Sequence, residues 1–421
     1  MDRNRPSERF ASRSLLASHF VGPKTPPAPQ RMTTSPSVDA GNRRLSLDVL
    51  RGYLLLNSFL MSALAPALPQ LPPSGIRDVL TTLFTHAEWN GFHYVDDGFP
   101  AYMILIGVSM TLSFERRRHA GASTSQLFRK VVTRALLLWG LAFFVAGGFS
   151  VPFEKMNFTS IFVELSFCIC ATGIFLLTLS PRSQLLALIA FLLAHWGVLT
   201  IIAVPGYGYG DFSKEGNVES YFISAGGSAL ADAFGWTEPY DKFGKVIMWY
   251  LALPKILGTC LIGLLLGWFL QRNASSRRQA PLLAIMGAVA MAVAWAWEVW
   301  LPINKHLWTP SFTLFTGGFT FALMAIHMQI SEVWNLRRVS FFFTTFGRTP
   351  LLAWLCFYLL PFHQFALSFF GPGFPPIFGA YRPLVASVTE VMLCWIFFAW
   401  LHRRHAPALI AQPSLTPVSN A

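Results

Sequence analysis

Leu47-Asp-Val-Leu-Arg-Gly-Tyr-Leu-Leu-Leu-Asn-Ser-Phe-Leu-Met-Ser-Ala-Leu-Ala65 is a run of 19 residues whose only charges, Asp48 and Arg51, lie near its start. As a helix it is about 28 Å long, close to the thickness of a bilayer's hydrocarbon core. Nine more apolar runs of similar length follow: Tyr94–Phe114, Val131–Phe149, Thr159–Leu179, Leu185–Val204, Val246–Leu270, Leu282–Leu301, Trp308–Ile330, Ser340–Leu360 and Leu384–Leu401. The chain therefore reads as an all-α integral membrane protein, a polytopic bundle of about ten transmembrane helices.

Composition agrees. Of the 421 residues 53% are hydrophobic and only 12% charged, whereas a soluble surface needs about a quarter charged residues. Lipid must solvate much of this chain. The 39 Phe and 14 Trp suit lipid contact and headgroup belts. The net charge of +12 is a matter of topology before it is a matter of nucleic acid, and no aromatic-interleaved basic platform for RNA or DNA is present. Arg43, Arg44, Arg116, Arg117, Arg118, Arg129, Lys130, Arg182, Arg272, Arg277, Arg278, Arg337, Arg338, Arg403 and Arg404 all fall on one side of the ten spans. The other side holds scattered Arg77, Lys155, Lys214, Lys242, Lys245, Lys305 and Arg382. By the positive-inside rule the first side is cytoplasmic, and both termini lie there.

Three regions follow: a basic, Pro- and Ser-rich arm over 1–44 that reads as disordered, a membrane domain over 45–402, and a cytoplasmic tail over 403–421. The arm holds no signal-peptide apolar run, and Met32 is an alternative start because nothing before it reads as structured. A long external segment, 205–245, is expected to form a small cap. Cys168, Cys170, Cys260, Cys356 and Cys394 all fall in apolar runs and match neither a disulfide framework nor a zinc site. No metal-ligand spacing appears.

Polar groups at membrane depth cost a few kcal/mol, so they mark candidate sites. Asp48 with Arg51 forms one cluster, which also reads as a headgroup anchor. Thr85-His-Ala-Glu-Trp-Asn-Gly-Phe-His-Tyr-Val-Asp-Asp-Gly-Phe-Pro100 crowds His86, Glu88, Asn90, His93, Asp96 and Asp97 into one external loop. A histidine there can work as a base near neutral pH; the bland alternatives are a boundary histidine, an Asp97 N-cap and a Trp89 interface anchor. Trp300-Leu-Pro-Ile-Asn-Lys-His-Leu-Trp-Thr-Pro310 is also external, and its Lys305 can bind an anion or polarise a carbonyl, or be a plain loop lysine between belt aromatics. Glu164, Lys255 and Glu298 also sit within or beside apolar runs.

Taken in order, Ser46-Leu-Asp-Val-Leu-Arg-Gly52, His86-Ala-Glu-Trp-Asn-Gly91 with Asp96, Phe99-Pro100 and Gly107-Val-Ser109, and Pro302-Ile-Asn-Lys-His-Leu-Trp308 resemble the motifs of the heparan-alpha-glucosaminide N-acetyltransferase family and its bacterial relatives. Weaker echoes occur at Tyr240-Asp241, at Pro254 with Gly263 and Gly267, and at Phe346-Gly-Arg-Thr-Pro350. The resemblance implies a multi-helix enzyme that takes acetyl from cytosolic acetyl-CoA to an acceptor across the membrane. His86 occupies the reaction centre in that reading. Asn90, Trp89, Asp96, Asn304, Lys305, Asp241 and Ser62 become candidate substrate contacts, and Asp48, Arg51 and Arg134 candidate contacts of CoA. The chain departs from the family pattern at Ser62, where an asparagine is expected, at Phe162-Val-Glu-Leu-Ser166, which lacks a Gln-Arg pair, and at Asp241-Lys-Phe-Gly244, which replaces Asp-Pro-Glu-Gly.

The function so expected is acetyl transfer to a sugar or glycan on the outer face of a cell membrane, a bacterial inner membrane, with the bilayer as constant partner and a homodimer left open. A transporter or flippase on a related multi-helix fold is the alternative.

Overall fold

In the computed structural model the described residues are 44–410, apart from 153–154, 157, 273–274 and 371–377. The expected basic arm therefore lies outside the described residues except for Arg44, as does the tail beyond residue 410. The helices are α1 Leu45–Leu64, α2 Gly75–Phe84, α3 Gly98–His119, α4 Thr124–Val145, α5 Ile161–Thr178, α6 Pro181–Ile201, α7 Val218–Ala233, α8 Lys242–Ala252, α9 Leu257–Gln271, α10 Ser276–Trp297, α11 Pro310–Met328, α12 Arg337–Gly347, α13 Pro350–Leu359, α14 Phe362–Phe369 and α15 Arg382–Ile410. A two-stranded antiparallel ribbon, β1 Ala203–Val204 and β2 Gly208–Tyr209, follows α6. Among the described residues nine helical stretches are long and apolar enough to cross a bilayer, or ten if α13 and α14, bent by 55° at their junction, form one crossing. This is a polytopic all-α membrane protein.

Local sequence explains the helix starts. Ser123 and Gln126 form a reciprocal capping box at α4, Ser180 caps α6 just before Pro181, and Thr309 caps α11 just before Pro310. The expected span Ser340–Leu360 is not one rod. It breaks between Gly347 and Pro350, with Thr349 pushed out of the helical region (φ −134°, ψ 61°), because proline disfavours a helical residue before it. The expected span Val246–Leu270 likewise contains a 3-10 turn, Leu253–Ile256, around Pro254.

Small residues set the helix contacts. A methyl added at Gly107 of α3 would sit 2.7 Å from the Gly263 carbonyl carbon of α9, and one at Gly287 of α10 would sit 2.6 Å from the Gly318 oxygen of α11. One added at Gly52 of α1 would run into the Phe343 carbonyl of α12. Such close backbone approach is how membrane helices gain packing where lipid removes the hydrophobic drive. The central helices α3, α9 and α11 are mostly buried, whereas α4, α6 and α10 turn Leu136, Leu137, Leu186 and Ile285 outward. Cys168 and Cys260, from α5 and α9, meet in the core as free thiols with sulfurs 3.3 Å apart.

Segment 205–245 carries β2, α7 and the start of α8. Gly227 and Gly244 bring α7 and α8 into backbone contact, and α7 folds back along α8 as an antiparallel pair.

Candidate functional site: a histidine, carboxylate and lysine at one end of the bundle

Two loops build the site. The first leaves α2 at Thr85, runs through Trp89-Asn90-Gly91 and enters α3 by a short 3-10 turn, Tyr94–Asp97. Gly91 has φ +101°, a left-handed value that glycine accepts without a side-chain clash. The second loop joins α10 to α11. Its Trp308 also has a positive φ, 51°, and offsets that strain by burying its indole and donating from Nε1 to Thr259 Oγ1 at 2.9 Å.

The loops lock together through an antiparallel bridge between Asn90 and Asn304. Gly91 N donates to the Ile303 carbonyl at 2.8 Å, and Asn304 Nδ2 donates to Asn90 Oδ1 at 2.9 Å. Asn304 Oδ1 in turn accepts from Leu307 N at 2.9 Å, so the amide of Asn304, which is fully buried, holds both loops. Between the two loops lie the crossings of α3, α4, α5, α6, α8 with α9, and α10. That even number returns the chain to the same end of the bundle.

The bridge brings Lys305 onto His86 and Asp96. His86 Nδ1 donates to Asp96 Oδ1 at 2.7 Å, and Lys305 Nζ donates to the same oxygen at 3.2 Å. Lys305 Nζ also lies 2.9 Å from His86 Nδ1 and 3.3 Å from Nε2, so the three groups form a closed triangle. Asp96 has no exposed surface, and its second oxygen accepts from His93 N at 2.8 Å and Ala87 N at 3.3 Å. This carboxylate is therefore both the partner of His86 and the brace of its loop. Burial holds the Lys305 ammonium below its ordinary pKa, with Asp96 and Glu164 opposing that shift. His86 itself is 43% exposed. With Nδ1 committed to Asp96, Nε2 keeps the lone pair, with Lys305 Nζ 3.3 Å away, and can serve as a base or nucleophile.

A rim surrounds the triangle. Trp89 stacks on His306 with centroids 5.0 Å apart, donates from Nε1 to the Phe212 carbonyl at 2.6 Å, and has Lys214 Nζ 5.9 Å from its ring centre. Lys255 donates to Glu219 at 2.5 Å and to the His306 carbonyl at 2.8 Å. The segment after β2 and the start of α7 are thus fastened to the site. Phe212, Lys214, Glu219 and His306 escaped the sequence reading; only the neighbourhood of His306 to Lys305 hinted at any of them.

Of the residues singled out from sequence, His86, Trp89, Asn90, Asp96, Asn304 and Lys305 come together here. Ser62 does not join them: its hydroxyl bonds to Tyr358 OH at 2.6 Å. Asp241 stands at the N-cap of α8, in the connection from α7, and among the described residues makes no hydrogen bond or ion pair with this group. Asp48 and Arg51 pair at 2.8 Å on α1, and Arg51 also donates to Ser109 of α3. Ser109 lies twelve residues along α3 from Asp97, about 18 Å at helical rise. Between the two ends, Asn57 donates to Tyr94 OH at 2.7 Å and Tyr94 OH bonds to Tyr53 OH, forming a polar ladder beside α3. Arg134 is exposed on α4, in a groove with Arg117 and Lys130. Asp97 turns the other way from Asp96 and receives Thr320 Oγ1 at 3.3 Å in the fully buried core. No group of three or more His, Cys, Asp or Glu side chains suited to a metal ion occurs among the described residues.

Fold and site define a class: a many-helix membrane protein with a histidine, carboxylate and lysine converged at one end of its bundle. In sequence the chain is similar to mouse heparan-alpha-glucosaminide N-acetyltransferase, with 24% identity over 300 residues, 60% of this chain and 46% of that protein. The chain spans about half the length of that relative, and the relationship is distant. No family model matches the chain.

Proposed function

We propose that this protein is a membrane acyltransferase that carries the acetyl group of cytosolic acetyl-CoA to a hydroxyl or amine of a sugar or glycan at the opposite face of a bacterial inner membrane, with both termini cytoplasmic. The observation that carries the reading is the His86, Asp96 and Lys305 triangle, assembled from two loops that the sequence separates by 209 residues. The distant likeness to an N-acetyltransferase supports the same reaction class.

In this reading His86 Nε2 takes the proton of the acceptor hydroxyl or amine as that atom attacks the acetyl carbonyl. Asp96 holds the ring in the tautomer that leaves Nε2 free and stabilises the imidazolium that forms. Lys305 donates to the carbonyl oxygen as charge develops on it. The thioester bond breaks, CoA leaves as thiolate, and the proton completes the CoA thiol. An alternative order has His86 accept the acetyl group first and pass it on. Arg51 and the basic end of the bundle suit the phosphates of CoA, and the Tyr53, Asn57 and Tyr94 ladder offers hydrogen bonds along the way to His86. Exposed His86 and the Trp89 rim suit an acceptor arriving from outside.

The test is labelled acetyl transfer and CoA release in proteoliposomes, comparing wild type with His86→Ala at matched thermal stability, against a panel of amino sugars and glycans. CoA release by wild type alone supports the reading. If wild type releases no CoA and acetyl-CoA fails to raise its thermal midpoint, the enzyme reading falls and transport takes its place.

A further inference from the structure

At the end of the bundle away from His86, three cations converge on one groove between α3 and α4. Arg117 comes from α3, Lys130 and Arg134 from α4, and Phe114 and Val131 give the groove an apolar floor beside Ser113. Lys130 and Arg134 are four residues apart, hence on one helix face. Ser113 Oγ accepts from Arg117 Nε at 3.4 Å, which aims that guanidinium along the groove.

No carboxylate lines this groove, and neither Lys130 nor Arg134 has an ion-pair or hydrogen-bond partner among the described residues. Three other arginines at this end do find partners within the protein: Arg44 in Gln279 and the Leu270 carbonyl, Arg51 in Asp48, and Arg118 in Glu115. Gathering three like charges without a counter-charge raises the energy of the folded chain, unless an anion from outside completes the site. Depth restricts the anion. From Asp97 to Arg117 is 20 residues of α3, about 30 Å, so the groove lies a hydrocarbon core away from His86, at headgroup level. Toward the membrane centre α4 continues with exposed Leu136 and Leu137.

We propose that this groove is a phosphate-binding site. Guanidinium and ammonium donors around an open, apolar-floored cleft match phosphate oxygens, which accept charge-assisted hydrogen bonds from each. Two sources carry that chemistry at this depth: the phosphates of CoA, which rests on the acyltransferase reading, and the phosphodiester of an acidic phospholipid, which does not. Ser109, which holds Arg51, is one turn along α3 from Ser113, so phosphates in the groove lie beside the start of the polar ladder.

The experiment uses the full chain in nanodiscs, comparing wild type, Lys130→Gln with Arg134→Gln, and Arg129→Gln as a control that does not line the groove. Probes are CoA and phosphate-free pantetheine by calorimetry, and phosphatidylglycerol against phosphatidylcholine by native mass spectrometry, with thermal midpoints to verify folding. Expected is a loss of at least about tenfold in the double variant for a phosphate-bearing probe, with no loss in the control. A loss confined to CoA identifies the nucleotide source, and one confined to phosphatidylglycerol the lipid source. Unchanged binding of both overturns the proposal, even where acetyl transfer persists. Wild type that binds no CoA but retains phosphatidylglycerol through Lys130 and Arg134 sustains the groove while removing the acyltransferase reading.

Discussion

Replacing Asp96 by Asn tests the centre of the site with the smallest change of shape. One carboxylate oxygen receives His86 Nδ1 at 2.7 Å and Lys305 Nζ at 3.2 Å, and the other receives His93 N and Ala87 N. All four partners are donors, whereas an amide offers one acceptor oxygen and an NH2 that is itself a donor. The buried backbone N–H groups are the more costly to leave unpaired, so the amide oxygen stays with them and the NH2 turns to His86 and Lys305. Nδ1 must then accept, which moves the ring proton to Nε2 and removes the lone pair from that atom. The ammonium loses its charge-assisted acceptor, worth about 1.5–3 kcal/mol. Acetyl transfer at saturating substrate should fall by about 10²–10⁴-fold, the usual contribution of a positioned base. The thermal midpoint should drop by only a few degrees, because the loop brace survives. Turnover of the Asp96→Asn variant within twofold of wild type, at a preserved thermal midpoint, would refute the role given to this carboxylate.

Gly52→Ala should destabilise by about 1–3 kcal/mol, since the new methyl meets the Phe343 carbonyl and overpacking outweighs the gain of about 1 kcal/mol in helix propensity; Gly140→Ala, with open space around it, should be neutral or stabilising, and equal thermal midpoints for the two would contradict the packing described. Glu219→Gln removes the counter-charge of Lys255 but leaves it the His306 carbonyl and an amide oxygen as acceptors, and should cost about 1–3 kcal/mol in chemical denaturation; no loss would mean that the cap is not fastened there. Lys305 binds its proton less readily in the folded protein than in the unfolded chain, so its penalty is full below the depressed folded pKa and fades as pH rises toward about 10.4. The stability of wild type relative to Lys305→Met should accordingly increase through the alkaline range, and a flat difference would remove that account. Trp89→Ala should loosen the segment around Phe212 and raise the KM for acceptor more than it lowers kcat, read from acceptor titrations at fixed acetyl-CoA.

The crossings were legible in the sequence because transfer of an apolar run into lipid is a local property, summed over about twenty neighbouring residues. Leu47–Ala65 announces a span regardless of what packs against it. Prolines are local too, and Pro350 and Pro254 mark places where the structure does break its helices; what hydropathy alone misread was the continuity of Ser340–Leu360. His86, Asn90 and Asp96 could be named together because one loop carries them.

The partners of these residues belong to another order of information. Nothing near His86 specifies Lys305, nothing near Glu219 specifies Lys255, and Arg117 gives no sign of Arg134. Those pairings follow from which helix backbones can approach, at Gly107 with Gly263 and at Gly287 with Gly318, and from the Asn90 and Asn304 bridge that closes the loops. The sequence by itself determined a many-spanning helical protein with polar loops at membrane depth, because burial in lipid depends on each segment alone. Which polar groups meet was decided only by the tertiary structure, because a hydrogen bond needs two partners within about 3 Å and separation along the chain says nothing of that distance.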